Sequence, residues 1–353
     1  MSVEDALACI CAEIKPVDED AAATARARHD QLLKPPGSLG RLEELGAWLA
    51  AVAGKCPPPL PERPAVLVCA GDHGVVSRGI SAWPSEVTAV MVGEFCADRA
   101  AVNALARTAG ASVSVLDVGV GVELPAHPLL KRSKVRAGAA DLAAGPAMSR
   151  EEAARAVVCG VDLAEQLVAN GADMLIGGDM GIGNTTPAAC LIAAFTGHPA
   201  EEVTGPGAGG DAAAVAHKAE VVRAALALHA PDSADGLGTL AAVGGLEHAA
   251  IAGFILGAAR EQVPLILDGV STVAAALVAR ALSPAALGYA VAGHRSTEPG
   301  ASAALEALGL DPLLELGMRL GEATGGVLAA PIVRAAAAAL TEMATFEEAG
   351  ITA

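Results

Sequence analysis

Two segments carry residue types at spacings that suit chemistry. Gly178-Asp-Met-Gly-Ile-Gly-Asn-Thr-Thr186 follows an apolar run, Ala172–Gly177, that reads as a buried parallel strand. Glycines directly after a strand let backbone N–H groups face an anion, and a helix that follows adds its positive end. Gly181, Gly183, Asn184 and Thr185 are therefore candidates to hold a phosphate. A second glycine-rich stretch, Thr204-Gly-Pro-Gly-Ala-Gly-Gly210, is followed by Lys218 and adds Gly205 and Gly207 to the same set. Neither stretch closes on the Lys-Ser or Lys-Thr of a Walker loop. The other segment, Arg319-Leu-Gly-Glu-Ala-Thr-Gly325, sets one carboxylate among small residues that would not screen it from a ligand. Glu322 is the candidate general base for a substrate that carries a phosphorylated sugar.

Each pattern also has a purely structural counterpart. The glycine turns could serve only to bring helices close to the sheet. Glu322 could be a helix-surface carboxylate paired to Arg319, three residues earlier. Gly71-Asp72-His73-Gly74 could hold an acid–base pair, or be a tight turn whose Asp satisfies backbone donors. Gly293-His294-Arg295-Ser296 could be a ligand loop or a satisfied strand end. The eight histidines form no HxH or HExxH set, so no metal site is expected, and no cofactor either. A GxGxxG turn after the first strand is missing, which weakens a nicotinamide-dependent oxidoreductase reading.

The elements that must position these residues alternate along the chain. Helical patterns occupy 4–15, 20–34 and 41–53. Strands are expected at 64–70, 112–117, 172–177, 263–268 and 287–292. Helices are expected at 85–106, 150–170, from about 187, and at 212–230, 245–260 and 270–281, with Ser149 as a cap. Strands separated by helices imply a parallel sheet covered on both faces. The polar and glycine-rich motifs fall just after strands, so they should gather along one edge of the sheet. This predicts an α/β fold: a Rossmann-like parallel sheet in residues 60–300, with 1–59 and 301–353 forming a small helical cap.

Composition narrows the function classes. Of 353 residues, 53% are hydrophobic but only 2% aromatic, so the core must be built from Ala, Val, Leu and Ile. The 40 glycines allow close helix packing. A net charge of −17 argues against a nucleic-acid or anionic-membrane surface, though a local cation can still hold a small anion. The uncharged stretch 180–200 is long enough to span a bilayer, but Asn184, Thr185, Thr186, Pro187 and His198 argue for a helix after a ligand-binding turn. The seven cysteines contain no CxxC pair and read as free thiols in a reducing cytoplasm. The N-terminus lacks the pattern of a signal peptide.

Taken in order, these motifs resemble a known family. Lys34-Pro-Pro-Gly-Ser-Leu-Gly-Arg-Leu42, Ala70-Gly-Asp-His-Gly-Val75, Gly177–Thr186, Gly293-His-Arg-Ser-Thr-Glu-Pro-Gly300, Leu316-Gly-Met-Arg-Leu-Gly-Glu322 and Glu342-Met-Ala-Thr-Phe346 are similar to those of nicotinate-nucleotide–dimethylbenzimidazole phosphoribosyltransferases. The resemblance covers nearly the whole chain. It implies transfer of the phosphoribosyl group of nicotinate mononucleotide to 5,6-dimethylbenzimidazole, giving nicotinate and α-ribazole 5′-phosphate for the lower ligand of cobalamin. It also implies a homodimer. Glu322 matches the family's catalytic glutamate, with Asp179 as a second catalytic candidate. Gly181, Gly207 and Lys218 match positions that hold the ribose phosphate, and Ser81 to Val90 with Met180 would line the base pocket.

Three positions depart from the resemblance. Asp179 stands where a glutamate is expected, Val90 where a glutamine is frequent, and Cys96–Ala101 where a glycine-containing stretch is usual. They bear on which base is used, since relatives activate phenols and other bases. The competing readings are a weak or inactive nucleotide-binding partner subunit, or a paralogue that activates phenolic or purine bases.

Overall fold

Six parallel strands form the centre of the molecule in the computed structural model, which describes residues 1–351. Thr352 and Ala353, assigned to the expected cap, lie outside the described residues. The strands are β1 (Pro64–Gly71), β2 (Ser112–Gly119), β3 (Leu130–Arg132), β4 (Met174–Met180), β5 (Leu265–Leu267) and β6 (Ala290–Ala292). Their spatial order is β3-β2-β1-β4-β5-β6, which is the Rossmann order. The chain direction across the sheet reverses between β1 and β4. There the two strands pair in register from Pro64↔Met174 to Ala70↔Met180. A cleft is expected beyond their carboxyl ends.

Alternation along the strands assigns the two layers. Ala65, Leu67 and Cys69 of β1 and Leu175 of β4 face one core, with helices Arg150–Ala169, Thr185–Thr196, Leu246–Arg260 and Val270–Leu282. Val66, Val68 and Ala70 of β1 and Met174 and Ile176 of β4 face the other, with helices Arg41–Ala53, Glu86–Cys96, Ala101–Ala109 and Thr324–Glu342. With so few aromatics, the core closes by backbone approach. A Cβ added at Gly160 would overlap the Ala250 carbonyl, and one at Gly253 would overlap that of Val157. Helices 150–169 and 246–260 thus touch main chain to main chain.

Several expected boundaries are corrected. The helix expected over 85–106 is two helices, 86–96 and 101–109, with Asp98 between them at φ +59°. Asn103 ties the break together: its amide donates to the Phe95 carbonyl at 3.0 Å and its oxygen accepts from Ala100 N at 3.1 Å. Residues 287–289 of the last expected strand belong to a 3₁₀ turn, Pro284–Tyr289, and only Ala290–Ala292 pair. The Ser149 cap is present: its hydroxyl accepts from Glu152 N at 3.1 Å while Glu152 accepts from Ser149 N at 2.8 Å.

The terminal helices Glu19–Gln31, Arg41–Ala53 and Thr324–Glu342 pack on one another. The last of these also covers the sheet through Val327, Ala330 and Val333. It is long and apolar enough to cross a membrane, but just over half of its apolar window is buried against this core.

Candidate active site

A cleft of about 650 Å³ opens beyond the carboxyl ends of β4 and β5. One wall is the turn after β4, with Asp179, Met180, Gly181, Ile182, Asn184 and Thr185. The loop after β5 supplies Gly269, Val270 and Ser271, and the loop after β6 supplies Ser296 and Glu298. Gly207 and Ala208 come from the second glycine loop. Trp83, Val87 and Met91 form an apolar side, and Arg319 to Glu322 close the floor.

Glu322 owes its position to β4. A Cβ on Gly178 would overlap Ala323 N, so the missing side chain lets the Glu322–Ala323 turn lie on the strand. Both turn residues adopt left-handed backbone, Glu322 at φ +62° and Ala323 at φ +71°. Such conformations cost L-residues roughly 1–2 kcal/mol each. Asp268, fully buried at the end of β5, holds the turn. Its carboxylate accepts from Ala323 N at 3.1 Å, Gly325 N at 2.7 Å and Gly326 N at 3.0 Å. The same three bonds occupy free amides at the start of helix 324–342.

The electrostatics of the floor favour a base. Burial, then the nearby carboxylates of Asp179 and Asp268, push the Glu322 carboxyl up to about 7. Glu322 is 5% exposed and its Oε2 has no hydrogen-bond partner. Burial also raises the Asp179 carboxyl, although Asn184 and Ser271 both bond to it. The surface-carboxylate reading of Glu322 fails here. Residues 315–322 are not helical, and Arg319 turns away to donate to the Gly207 carbonyl.

A recess of about 30 Å³ adjoins the cleft, sharing Gly181, Ile182, Asn184, Thr185 and Ala208 and adding Ser81, Gly183 and Lys218. Lys218, on helix Ala212–His229, donates to Thr185 Oγ1 and, at 3.2 Å, to the Gly205 carbonyl. Burial lowers its ammonium to about 8 against the opposing pull of Glu298. Glu298 is itself buried and accepts from Gly207 N at 2.9 Å. The two glycine loops, far apart in sequence, thus meet around one lysine.

His73 does not pair with Asp72. Asp72 accepts from Gly121 N at 2.7 Å and serves the turn. His73 Nε2 instead lies 3.0 Å from Glu247 Oε1, which is also 2.6 Å from His248 Nδ1, and all three side chains are buried. Burial alone would lower His73, but the Glu247 carboxylate outweighs it and holds the imidazole above its ordinary value. This cluster lies directly beneath the glycine turn after β4: a Cβ on Gly181 would come to 3.0 Å from His73 Nε2.

The sequence candidates therefore divide. Glu322, Asp179, Met180, Gly181, Asn184, Thr185 and Gly207 line the cleft, and Ser81, Gly183 and Lys218 line the recess. Gly205 lines neither but anchors Lys218. Val90 does not line the cleft; it is 61% exposed, and the residues that helix 86–96 turns inward are Val87 and Met91. Trp83 falls within the Ser81–Val90 stretch expected to line the base pocket; Ser271, Glu298 and Arg319 were not singled out as site residues, although Gly293–Ser296, which follows a strand, marked one of their loops.

Comparison with known proteins agrees with this geometry. A phosphoribosyltransferase family matches residues 14–351. The chain is 54% identical to the nicotinate-nucleotide–dimethylbenzimidazole phosphoribosyltransferase of Salinispora tropica, over 96% of this chain and 97% of that protein. It is 51% identical to the enzyme of the same name from Chloroflexus aggregans, over 96% of each. The crystal structure of CobT from Thermus thermophilus superposes with a TM-score of 0.91 at 50% identity, covering 94% of this chain and 99% of that one. Its strand order, its cleft and its relatives together place the chain in the nicotinate-nucleotide–dimethylbenzimidazole phosphoribosyltransferase family.

Proposed function

We propose that the chain transfers the phosphoribosyl group of nicotinate mononucleotide to 5,6-dimethylbenzimidazole or a related base. The observation that carries this is Glu322: a buried, partnerless carboxyl oxygen beside a glycine loop and a buried lysine. One benzimidazole nitrogen attacks the anomeric carbon. The bond to the pyridinium nitrogen breaks, and its electron pair stays with nicotinate. The proton on the other benzimidazole nitrogen passes to Glu322. Attack opposite the leaving ring converts a β-nucleotide into an α-product.

Each part of the cleft has a task in this reading. Gly181, Gly183, Asn184, Thr185, Gly205, Gly207 and Lys218 hold the ribose phosphate. Trp83, Val87, Met91 and Met180 form the apolar side on which the bicyclic base rests, with Ser81 at its margin. A volume near 650 Å³ suits a nucleotide and a bicyclic base together. Asp179 keeps the floor anionic, which sustains the basicity of Glu322 and favours a positive ribosyl centre.

We further read the chain as a cytoplasmic homodimer, with residues 60–300 as the catalytic domain and both termini as a helical cap. Exposed Val90 and Leu316, on elements bordering the cleft, support a covered face. Light scattering of the purified protein tests the dimer. The reaction is tested by supplying nicotinate mononucleotide with 5,6-dimethylbenzimidazole, benzimidazole, adenine or phenol and following nicotinate release and the new nucleotide by chromatography and mass spectrometry. Absence of product with every base would refute the proposal.

A further inference from the structure

We infer that Arg319 is the second cation of the phosphate site and that it couples phosphate occupancy to the position of Glu322; this rests on the transfer reading above. Lys218 is the basic residue of the recess, but buried Glu298 stands beside it. Glu298 accepts from Gly207 N at 2.9 Å, and a Cβ on Gly205 would overlap its carboxylate, while the Gly205 carbonyl accepts from Lys218 at 3.2 Å. Lys218 and Glu298 therefore sum to about zero, and a phosphate monoester arrives as a near-dianion. Asp179 and Glu322 make the remainder of the cleft acidic. Among the described residues, Arg319 is the only Lys or Arg that lines the cleft itself.

Its placement fits the task. The Arg319 guanidinium donates to the Gly207 carbonyl, bridging the cleft to the second glycine loop. A Cβ on that same Gly207 would lie 3.0 Å from Lys218 Nζ, so both cations converge on one residue. The other N–H groups of the guanidinium are left for a ligand, and its planar fork suits phosphate oxygens. Arg319 forms no ion pair with any carboxylate among the described residues.

Arg319 and Glu322 share an irregular segment in which Gly317 at φ +67° precedes Arg319 and Gly321 at φ +83° separates it from Glu322. A phosphate gripped by Arg319 pins this segment against the 205–209 loop, and Glu322 is pinned with it. Binding energy from the non-reacting phosphate is then expressed at the reacting centre, so a substrate without phosphate loses turnover as well as affinity.

The test compares wild type, Arg319→Ala and Arg319→Lys on nicotinate mononucleotide and on nicotinate riboside, with 5,6-dimethylbenzimidazole in excess. Arg319 is exposed, so the variants should melt with the wild type. With Arg319→Ala, kcat/KM for the nucleotide is expected to fall on the order of 10²-fold, with kcat contributing, while the riboside changes by less than about threefold. Added guanidinium should restore part of the nucleotide activity, and Arg319→Lys should fall between. Equal losses on both substrates, or no loss, would overturn the inference. A wild type that turns over neither substrate would sink the transfer reading on its own. Calorimetric titration with nicotinate mononucleotide would then decide for Arg319: affinity lost in Arg319→Ala supports it, and unchanged affinity refutes it.

Discussion

Replacing Glu322 with glutamine should abolish turnover and at the same time stabilise the protein, but only above neutral pH. The carboxyl is lifted from 4.5 to about 7 by burial, Asp179 and Asp268. That difference, roughly two and a half pH units at about 1.4 kcal/mol each, is about 3 kcal/mol. The sign follows from the direction. A carboxyl whose folded value lies above its unfolded value favours folding fully below about 4.5, and that contribution is lost as pH rises through about 7. Glutamine keeps the shape and never ionises. At pH 8.5 the variant should therefore be more stable than wild type by up to about 3 kcal/mol, and at pH 4.5 the two should match. For a chain of this length the unfolding entropy is roughly 0.7 kcal/mol per degree, so the melting point should rise about 4 °C at pH 8.5. Calorimetric melts of both proteins at the two pH values make the measurement. A melting difference that does not change with pH, or a variant less stable at pH 8.5, would refute a charged, costly Glu322.

Other outcomes follow from the same geometry. The pH profile of kcat/KM should be bell-shaped: it rises as Glu322 ionises near 7 and falls as Lys218 loses its proton near 8, with initial rates at subsaturating nucleotide as the readout. Asp179→Asn removes a like charge from beside Glu322, so the acid limb of that profile should move to lower pH; an unmoved limb would separate the two carboxylates. Gly178→Ala should drive a methyl into the Glu322–Ala323 backbone, costing about 1–3 kcal/mol in a denaturant titration and most of the activity. Trp83 is half exposed in the cleft, whereas Trp48 is held by the Gly288 carbonyl at 2.8 Å. Base binding should therefore change the tryptophan emission of wild type, and Trp83→Phe should lose the change.

Most of the sheet was legible because its longer strands are dense in Val, Leu and Ile, and all but β3 are closed or followed by glycine or aspartate. β3 was not, since Leu130-Lys131-Arg132 is short and two-thirds charged, as suits an edge strand. The two glycine loops were legible, the first as a glycine run after a strand and before a helix, the second as a glycine run before the helix that carries Lys218. Their convergence on Lys218 was not, because it depends on the packing of helix 212–229. Glu322 was marked by its small neighbours, yet its elevated carboxyl comes from Asp179 and Asp268, which tertiary structure alone brings near. Val90 illustrates the opposite failure. Residues 81–90 were read as one lining block, and only the helix decides that Val87 and Met91 turn inward while Val90 is exposed.

The main-chain contact between helices 150–169 and 246–260 reaches further than the core it closes. Helix 246–260 begins with the pair Glu247 and His248, and Glu247 is what His73 leans on beneath Gly181. The two helices therefore act as a fixed ruler that sets the height of the glycine turn after β4 from the face of the sheet that helix 185–196 shares with them. A single methyl at Gly160 or Gly253 has no room and must lift one helix off the other. Substitutions at these two glycines, neither of which lines the cleft, would be felt there as a mis-set loop. Their effects should be read in the affinity for the nucleotide before they are read in the melting point.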